Sequence, residues 1–172
     1  TGKTYIYPIS TIPKKKRDTK IHIICGGGSG SKLIKELADN GFTVSTGVLN
    51  IGDSDWAASK EYELDVAEET PFLNITQKAY EKNLELALAA YCIVLMPIYF
   101  SKANIRNLEL LTEKQLKDKK IYILGDRDFE KRDYTGGEAR SLYKGLKKQL
   151  NVIQLEEYEL IEALLKADEG NE

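Results

Sequence analysis

Histidine, methionine and tryptophan each occur once and cysteine twice among the 172 residues, and these scarcities remove whole classes of chemistry. His22 lies between Ile21 and Ile23 in an alternating apolar run, so it is read as a core or interface residue before a general base. No Ser-His-Asp arrangement, metal-ligand cluster or carboxylate pair of inferable separation is on offer. Cys25 and Cys92 are too few for a disulfide framework, and both sit in strand-like apolar runs that read as reduced, buried thiols of a cytosolic protein. No apolar stretch approaches the roughly 20 residues that span a bilayer, and no signal-peptide core follows Thr1-Gly2-Lys3-Thr4, so a soluble protein is expected. A formal charge of -2 supplies no basic field, which argues against nucleic acid as a partner.

Hydrophobic residues make up 42% of the chain, enough for one sizeable core, and one compact domain is expected. Short apolar runs alternate with helical-period segments. Strands are predicted over 21–25, 43–49, 63–66, 92–96, 121–124 and 152–155, and helices over 32–39, 54–60, 75–89, 105–117, 137–149 and 157–166. This alternation predicts an α/β, Rossmann-like three-layer sandwich with a mainly parallel sheet of about six strands. Residues 1–19 read as an extended segment and basic linker, 20–167 as the Rossmann-like domain, and 168–172 as a frayed tail.

The richest stretch is Lys20-Ile-His-Ile-Ile-Cys-Gly-Gly-Gly-Ser-Gly-Ser-Lys-Leu-Ile-Lys-Glu-Leu37, where a strand passes through glycines directly into an amphipathic helix. Glycines allow close backbone approach, and free amides at a helix start favour an anion, so Gly26, Gly27, Gly28, Ser29, Gly30 and Ser31 are candidate phosphate or nucleotide contacts. The fingerprint G-x-G-x-x-G is only partly met, because Ser31 stands where the third glycine belongs. The alternative is a tight structural turn that binds nothing.

Ligands of open α/β sheets settle beyond the carboxyl ends of the strands, which draws attention to Asn50, Gly52, Asp53 and Asp55 after the second strand and to Pro97, Ser101, Asn104 and Asn107 after the fourth. Asp53 and Asn104 are carried as ligand candidates, although Asp53-Ser54-Asp55 is read first as a helix cap. Asp133-Tyr-Thr-Gly-Gly-Glu-Ala139 is a second glycine element: Thr135 and Glu138 have capping-box spacing, and Thr135, Gly136 and Gly137 are candidate anion contacts aided by Arg127, Lys131 or Arg132. Gly2-Lys3-Thr4 imitates the end of a P-loop, but the strand-like Tyr5-Ile6-Tyr7-Pro8 follows where a helix is required.

Three pieces taken together, Thr1-Gly-Lys-Thr-Tyr-Ile-Tyr-Pro8, Cys25-Gly-Gly-Gly-Ser-Gly30 with Gly41-Phe-Thr-Val-Ser-Thr-Gly-Val-Leu49, and Asp133 to Ala139, resemble archaeal ATP-binding subunits of iron-chelate or cobalamin-type ABC importers. The first piece is similar to the end of the ATPase domain, and the rest looks like a Rossmann-like extension appended to it. The chain departs from the ATPase pattern in having no complete Walker A motif, ABC signature or Walker B strand. The resemblance implies a C-terminal fragment whose parent hydrolyses ATP elsewhere: a cytoplasmic accessory domain, peripheral to the membrane, whose partners are the ATPase domain of the same chain and, through it, a permease. A homodimer is an arrangement this allows, and the ligand implied is a phosphate-containing or nucleotide-like small molecule that regulates transport. Two rival readings remain: a small nucleotide or sugar-phosphate enzyme with Glu109 or Glu138 as acid/base residue, and a structural dimerisation module.

Overall fold

Successive side chains of a strand point to opposite faces, so a strand buried on both sides is mainly apolar, as Cys92–Met96 is and as Ile21, Ile23 and Ile24 make Lys20–Cys25, where the buried His22 is the exception. A computed structural model describes residues 16–25, 30–71, 75–96, 109–124, 144–145, 148–149 and 152–170. The strands are β1 (Lys20–Cys25), β2 (Thr43–Asn50), β3 (Asp65–Thr70), β4 (Cys92–Met96), β5 (Lys120–Leu124) and β6 (Val152–Leu155). The helices are α1 (Ser31–Asp39), α2 (Ser54–Glu61), α3 (Gln77–Ala89) and α4 (Glu157–Gly170). All adjacent strands pair in parallel, in the order β3-β2-β1-β4-β5-β6, so the expected Rossmann-like sandwich is observed.

The pleat divides the core in two. On one face Ile21 and Ile23 of β1, Cys92 and Val94 of β4, and Tyr122 and Leu124 of β5 meet Leu33, Ile34 and Leu37 of α1, Ala58 of α2, and Leu160 and Leu164 of α4. On the other, Ile24, Ile93, Leu95, Ile121 and Ile123 meet Ala87 of α3 and Leu110, Leu111 and Leu116. Those last three leucines occupy 3-10 turns, Leu110–Thr112 and Lys114–Leu116, where one helix over 105–117 was expected. The helix is interrupted at Glu113, whose backbone is extended (φ -64, ψ 130) and whose carboxylate accepts the Tyr80 hydroxyl at 2.7 Å. The break lets all three leucines reach the sheet.

Helix ends explain the element boundaries. After α1, Gly41 takes φ 87, its N–H donates to Ala38 O at 2.9 Å, and Phe42 N–H donates to Leu37 O at 3.1 Å. This is a Schellman motif, with Phe42 and Leu37 joined in the core. α2 ends in the same way without glycine: Glu63 holds φ 52, Glu63 N–H donates to Lys60 O at 3.2 Å and Leu64 N–H to Ser59 O at 2.9 Å. The third strand therefore begins at Asp65, two residues later than the 63–66 run suggests, and continues to Thr70. Thr76 caps α3 by accepting Ala79 N–H at 3.1 Å, and Glu159 closes the start of α4 by accepting Glu156 N–H at 3.0 Å.

At the amino ends of the strands, Arg17 ties three segments together. Its Nε donates to Asn40 O at 2.6 Å, its Nη1 donates to Asp168 at 3.0 Å, and its guanidinium lies 5.3 Å from the Phe42 ring centre. Thr19 donates its hydroxyl to the other Asp168 oxygen at 2.9 Å, and the Thr19 and Arg17 hydrogen bonds hold that carboxyl below the usual range. Arg17 and Thr19 come from the stretch read as linker and Asp168 from the stretch read as frayed; α4 itself runs to Gly170. Cys92 stands opposite Ile21, four positions back from the Met96 that pairs with Cys25, and is a free thiol pushed up to about 12 by burial.

Two substitutions probe this packing. Leu160→Ala empties a fully buried site beneath α4 and is expected to cost about 2–5 kcal/mol in urea denaturation. Glu63→Gly removes the left-handed strain of a side chain and is expected to stabilise by about 0.5–1 kcal/mol; a loss of stability contradicts the capping assignment.

Candidate functional site

The order of strands reverses at β1: the chain moves outward through β2 and β3, then returns to place β4 on the other side. Cys25 and Met96 are register partners at the carboxyl ends of these two strands, and the crevice beyond such a pair is where open α/β sheets receive ligands. α1 opens there. Its N-cap is Gly30, at φ -95 and ψ -9 with no side-chain cap, and Ile34 N–H donates to Gly30 O at 2.9 Å.

The buried Gly30 amide meets a carboxylate of this chain. Asp55, in the first turn of α2, accepts the Gly30 N–H on Oδ1 at 2.9 Å and on Oδ2 at 3.0 Å. Asp55 is 1% exposed. Its place in the first turn of α2 gives the carboxylate a second source of partial positive charge. Two helix starts are thus joined by one acid at the carboxyl rim of the sheet.

Of the residues nominated from sequence, Gly30, Ser31, Asn50, Gly52, Asp53, Asp55 and Glu109 lie within the described structure. Gly30 and Ser31 begin α1 at the crevice. Asp53 occupies the N-cap position of α2 with extended backbone (φ -94, ψ 155), and Ala57 N–H donates to its carbonyl at 3.3 Å, but its side chain makes no capping hydrogen bond. Within Asp53-Ser54-Asp55 the buried contact is therefore made by Asp55, and it reaches across to α1. Its signal in the sequence was a second acid inside the first turn of a helix that follows a strand. Asn50 turns back on its own loop and accepts Gly52 N–H at 3.0 Å. Gly26, Gly27, Gly28, Ser29, Asn104, Thr135, Gly136, Gly137 and Glu138 lie outside the described residues, and Glu109 is exposed at the first 3-10 turn.

The histidine has a separate role. His22 is fully buried in β1, on the face covered by α3. Its Nε2 lies 2.6 Å from Asn83 Oδ1 and its Nδ1 lies 2.9 Å from Ser45 Oγ. The amide oxygen is an acceptor only, so Nε2 donates to Asn83 and Nδ1 accepts the Ser45 hydroxyl in the neutral ring. Burial lowers its pKa from 6.5 to about 4, against the opposing effect of the Asn83 bond. Among the described residues no group of three or more His, Cys, Asp or Glu is placed to hold a metal ion, and no helix is long and apolar enough to cross a membrane.

The fold and the rim define an α/β domain of the Rossmann-like class. Its residues 44–161 match the MJ0874 family, and the chain belongs to that family. It is also similar to the cobalamin import ATP-binding protein BtuD of two Halobacterium salinarum strains, R1 and NRC-1, at 22% identity over 98 residues in each. The match covers 57% of this chain and 25% of each relative, so the chain spans about a quarter of their length. Among solved structures, a wide-type short-chain dehydrogenase/reductase from Veillonella parvula, in complex with NADP, shares the fold with a TM-score of 0.52 at 9% identity. That likeness covers 80% of this chain and 67% of the dehydrogenase.

The histidine yields a pH prediction. Because the folded-state pKa lies below that of the unfolded chain, the unfolded state takes up the proton first. Stability from this group is complete above pH 6.5 and is lost as pH falls toward 4. Urea denaturation at a series of pH values should show wild type losing on the order of 3 kcal/mol more across this interval than His22→Gln. Parallel pH profiles would contradict the buried neutral ring.

Proposed function

We propose that this chain is an accessory domain of an ABC importer's ATP-binding subunit and binds a phosphate-containing or nucleotide-like small molecule at the carboxyl rim between β1 and β4. The observation that carries the ligand reading is the reversal of strand order at β1, beside whose carboxyl end α1 opens at Gly30. The similarity to BtuD over 98 residues supports the transporter context. In this reading residues 1–19 end a preceding ATPase domain, 20–167 form the ligand-binding domain, and 168–172 are its tail. ATP hydrolysis belongs to the preceding domain, which also connects this one to a permease on the cytoplasmic side. Ligand occupancy would then regulate transport through contact with the ATPase domain.

The Asp55–Gly30 contact favours a second reading, in which the glycine turn serves only to bring two helix starts together and the domain is a structural or dimerisation module. Calorimetric titration with nucleotides, phosphosugars and inorganic phosphate separates the two. Saturable binding tighter than about 1 mM, at least tenfold weaker in Gly28→Asp, is the result expected of a ligand site. No binding tighter than that, with the variant indistinguishable from wild type, rejects the ligand reading and leaves the structural one.

A further inference from the structure

α1 and α4 share one apolar cluster through Leu33, Leu37, Leu160 and Leu164, and an acid from each helix stands beside it. Lys32 and Glu36 lie one turn apart on α1 and so share a face, while Glu157 opens α4 one turn before Leu160. The two oxygens of Glu157 differ in what they meet. Oε2 lies 3.8 Å from Lys32 Nζ, but the lysine side chain is 76% exposed and its attraction is strongly screened. Oε1 is buried and has no hydrogen-bond partner among the described residues. The Glu36 carboxyl is within hydrogen-bonding reach of Glu157, yet two ionised carboxylates are acceptors only. A buried oxygen set against a second carboxyl is satisfied when one of the two carries a proton. Burial and then Glu36 push the Glu157 pKa above its ordinary value, with Lys32 acting against them. The neighbouring acids on its own side supply no donor: Glu159 accepts the Glu156 N–H at 3.0 Å.

We propose that Glu36 and Glu157 share one proton between α1 and α4 and that its release to solvent loosens the start of α4, which makes the pair a proton-operated clasp. With the proton in place, one carboxyl donates to the other and the two helices are joined beside their leucines. Without it, two carboxylates face each other with the exposed Lys32 as the cation facing them among the described residues, and the first turn of α4 draws away from α1 to admit water. The clasp needs no ligand at the rim.

The test is an NMR titration of the glutamate carboxyls in the 172-residue chain, with amide hydrogen exchange followed over 157–161. In wild type, Glu157 is expected to titrate above the ordinary glutamate range, and exchange at the start of α4 should quicken across the same step. Glu36→Gln supplies a permanent donor, so the Glu157 midpoint should fall to the ordinary range or below it. Glu157→Gln puts an amide donor where the proton sat, so the exchange step should vanish. A carboxyl whose folded pKa is raised gives stability that is complete below the unfolded value and is lost as pH rises through the folded one, so wild type should lose more stability than Glu157→Gln across that step. A Glu157 midpoint unmoved by Glu36→Gln overturns the shared proton. Exchange at 157–161 that stays flat through the wild-type step overturns the loosening, and this measurement requires no substitution.

Discussion

A parallel sheet must be covered on both faces, and that constraint organises the rest of this molecule. Each connection between parallel neighbours has to cross from one end of the sheet to the other, and the crossing segment supplies the cover. α1 and α2 descend from β1 and β2 onto one face, and α3 returns the chain across the other to start β4 beside β1. Because every strand points the same way, the starts of α1, α2, α3 and α4 lie toward the carboxyl rim. The amino rim instead receives the ends of α1 and α4, where Arg17 and Thr19 tie Asp168 to the entrance of β1. One rim is built for closure; the other collects amides with partial positive charge.

The same constraint makes polar groups within the layers costly, and the chain meets that cost in two ways. His22 stands among Ile21, Ile23 and Ile24 of β1, and it is accommodated by one donor bond to Asn83 and one accepted from Ser45, joining β1, β2 and α3. Asp55 accepts the Gly30 backbone N–H on both carboxylate oxygens, which ties the start of α2 to the start of α1. Both contacts act as selective fasteners inside an apolar sandwich. A third polar contact, between Lys32 and Glu157 at 3.8 Å, joins α1 to α4; burial and the neighbouring Glu36 raise the Glu157 pKa.

Most of the architecture was legible because its signals are local and repeated. The runs 92–96 and 152–155 correspond directly to β4 and β6, and the helical period over 32–39 corresponds to α1. The third strand was harder to read for a definite reason. Its preceding cap uses Glu63 in place of glycine, and as an edge strand it carries Asp65, Glu68 and Glu69, acids that read as loop in a search for apolar runs. The break at Glu113 was similarly hidden, since the leucine spacing around it is compatible with a helix and only the sheet decides which leucines must face inward.

The entry into α1 was legible in the sequence, and the partner of the Gly30 amide was not. Glycine between a strand and a helix states that something approaches the backbone closely; it does not state what approaches. For Gly30 the approaching group is a carboxylate supplied 25 residues later in the chain. Sequence spacing alone places Asp55 inside the next helix, where capping is the natural expectation, and only the side-by-side descent of α1 and α2 from adjacent strands brings it to Gly30. The same topology that gathers positive helix starts at one rim therefore brings them within reach of the chain's own acids. At Gly30 that reach is realised by Asp55, whose two carboxylate oxygens accept the amide at 2.9 and 3.0 Å.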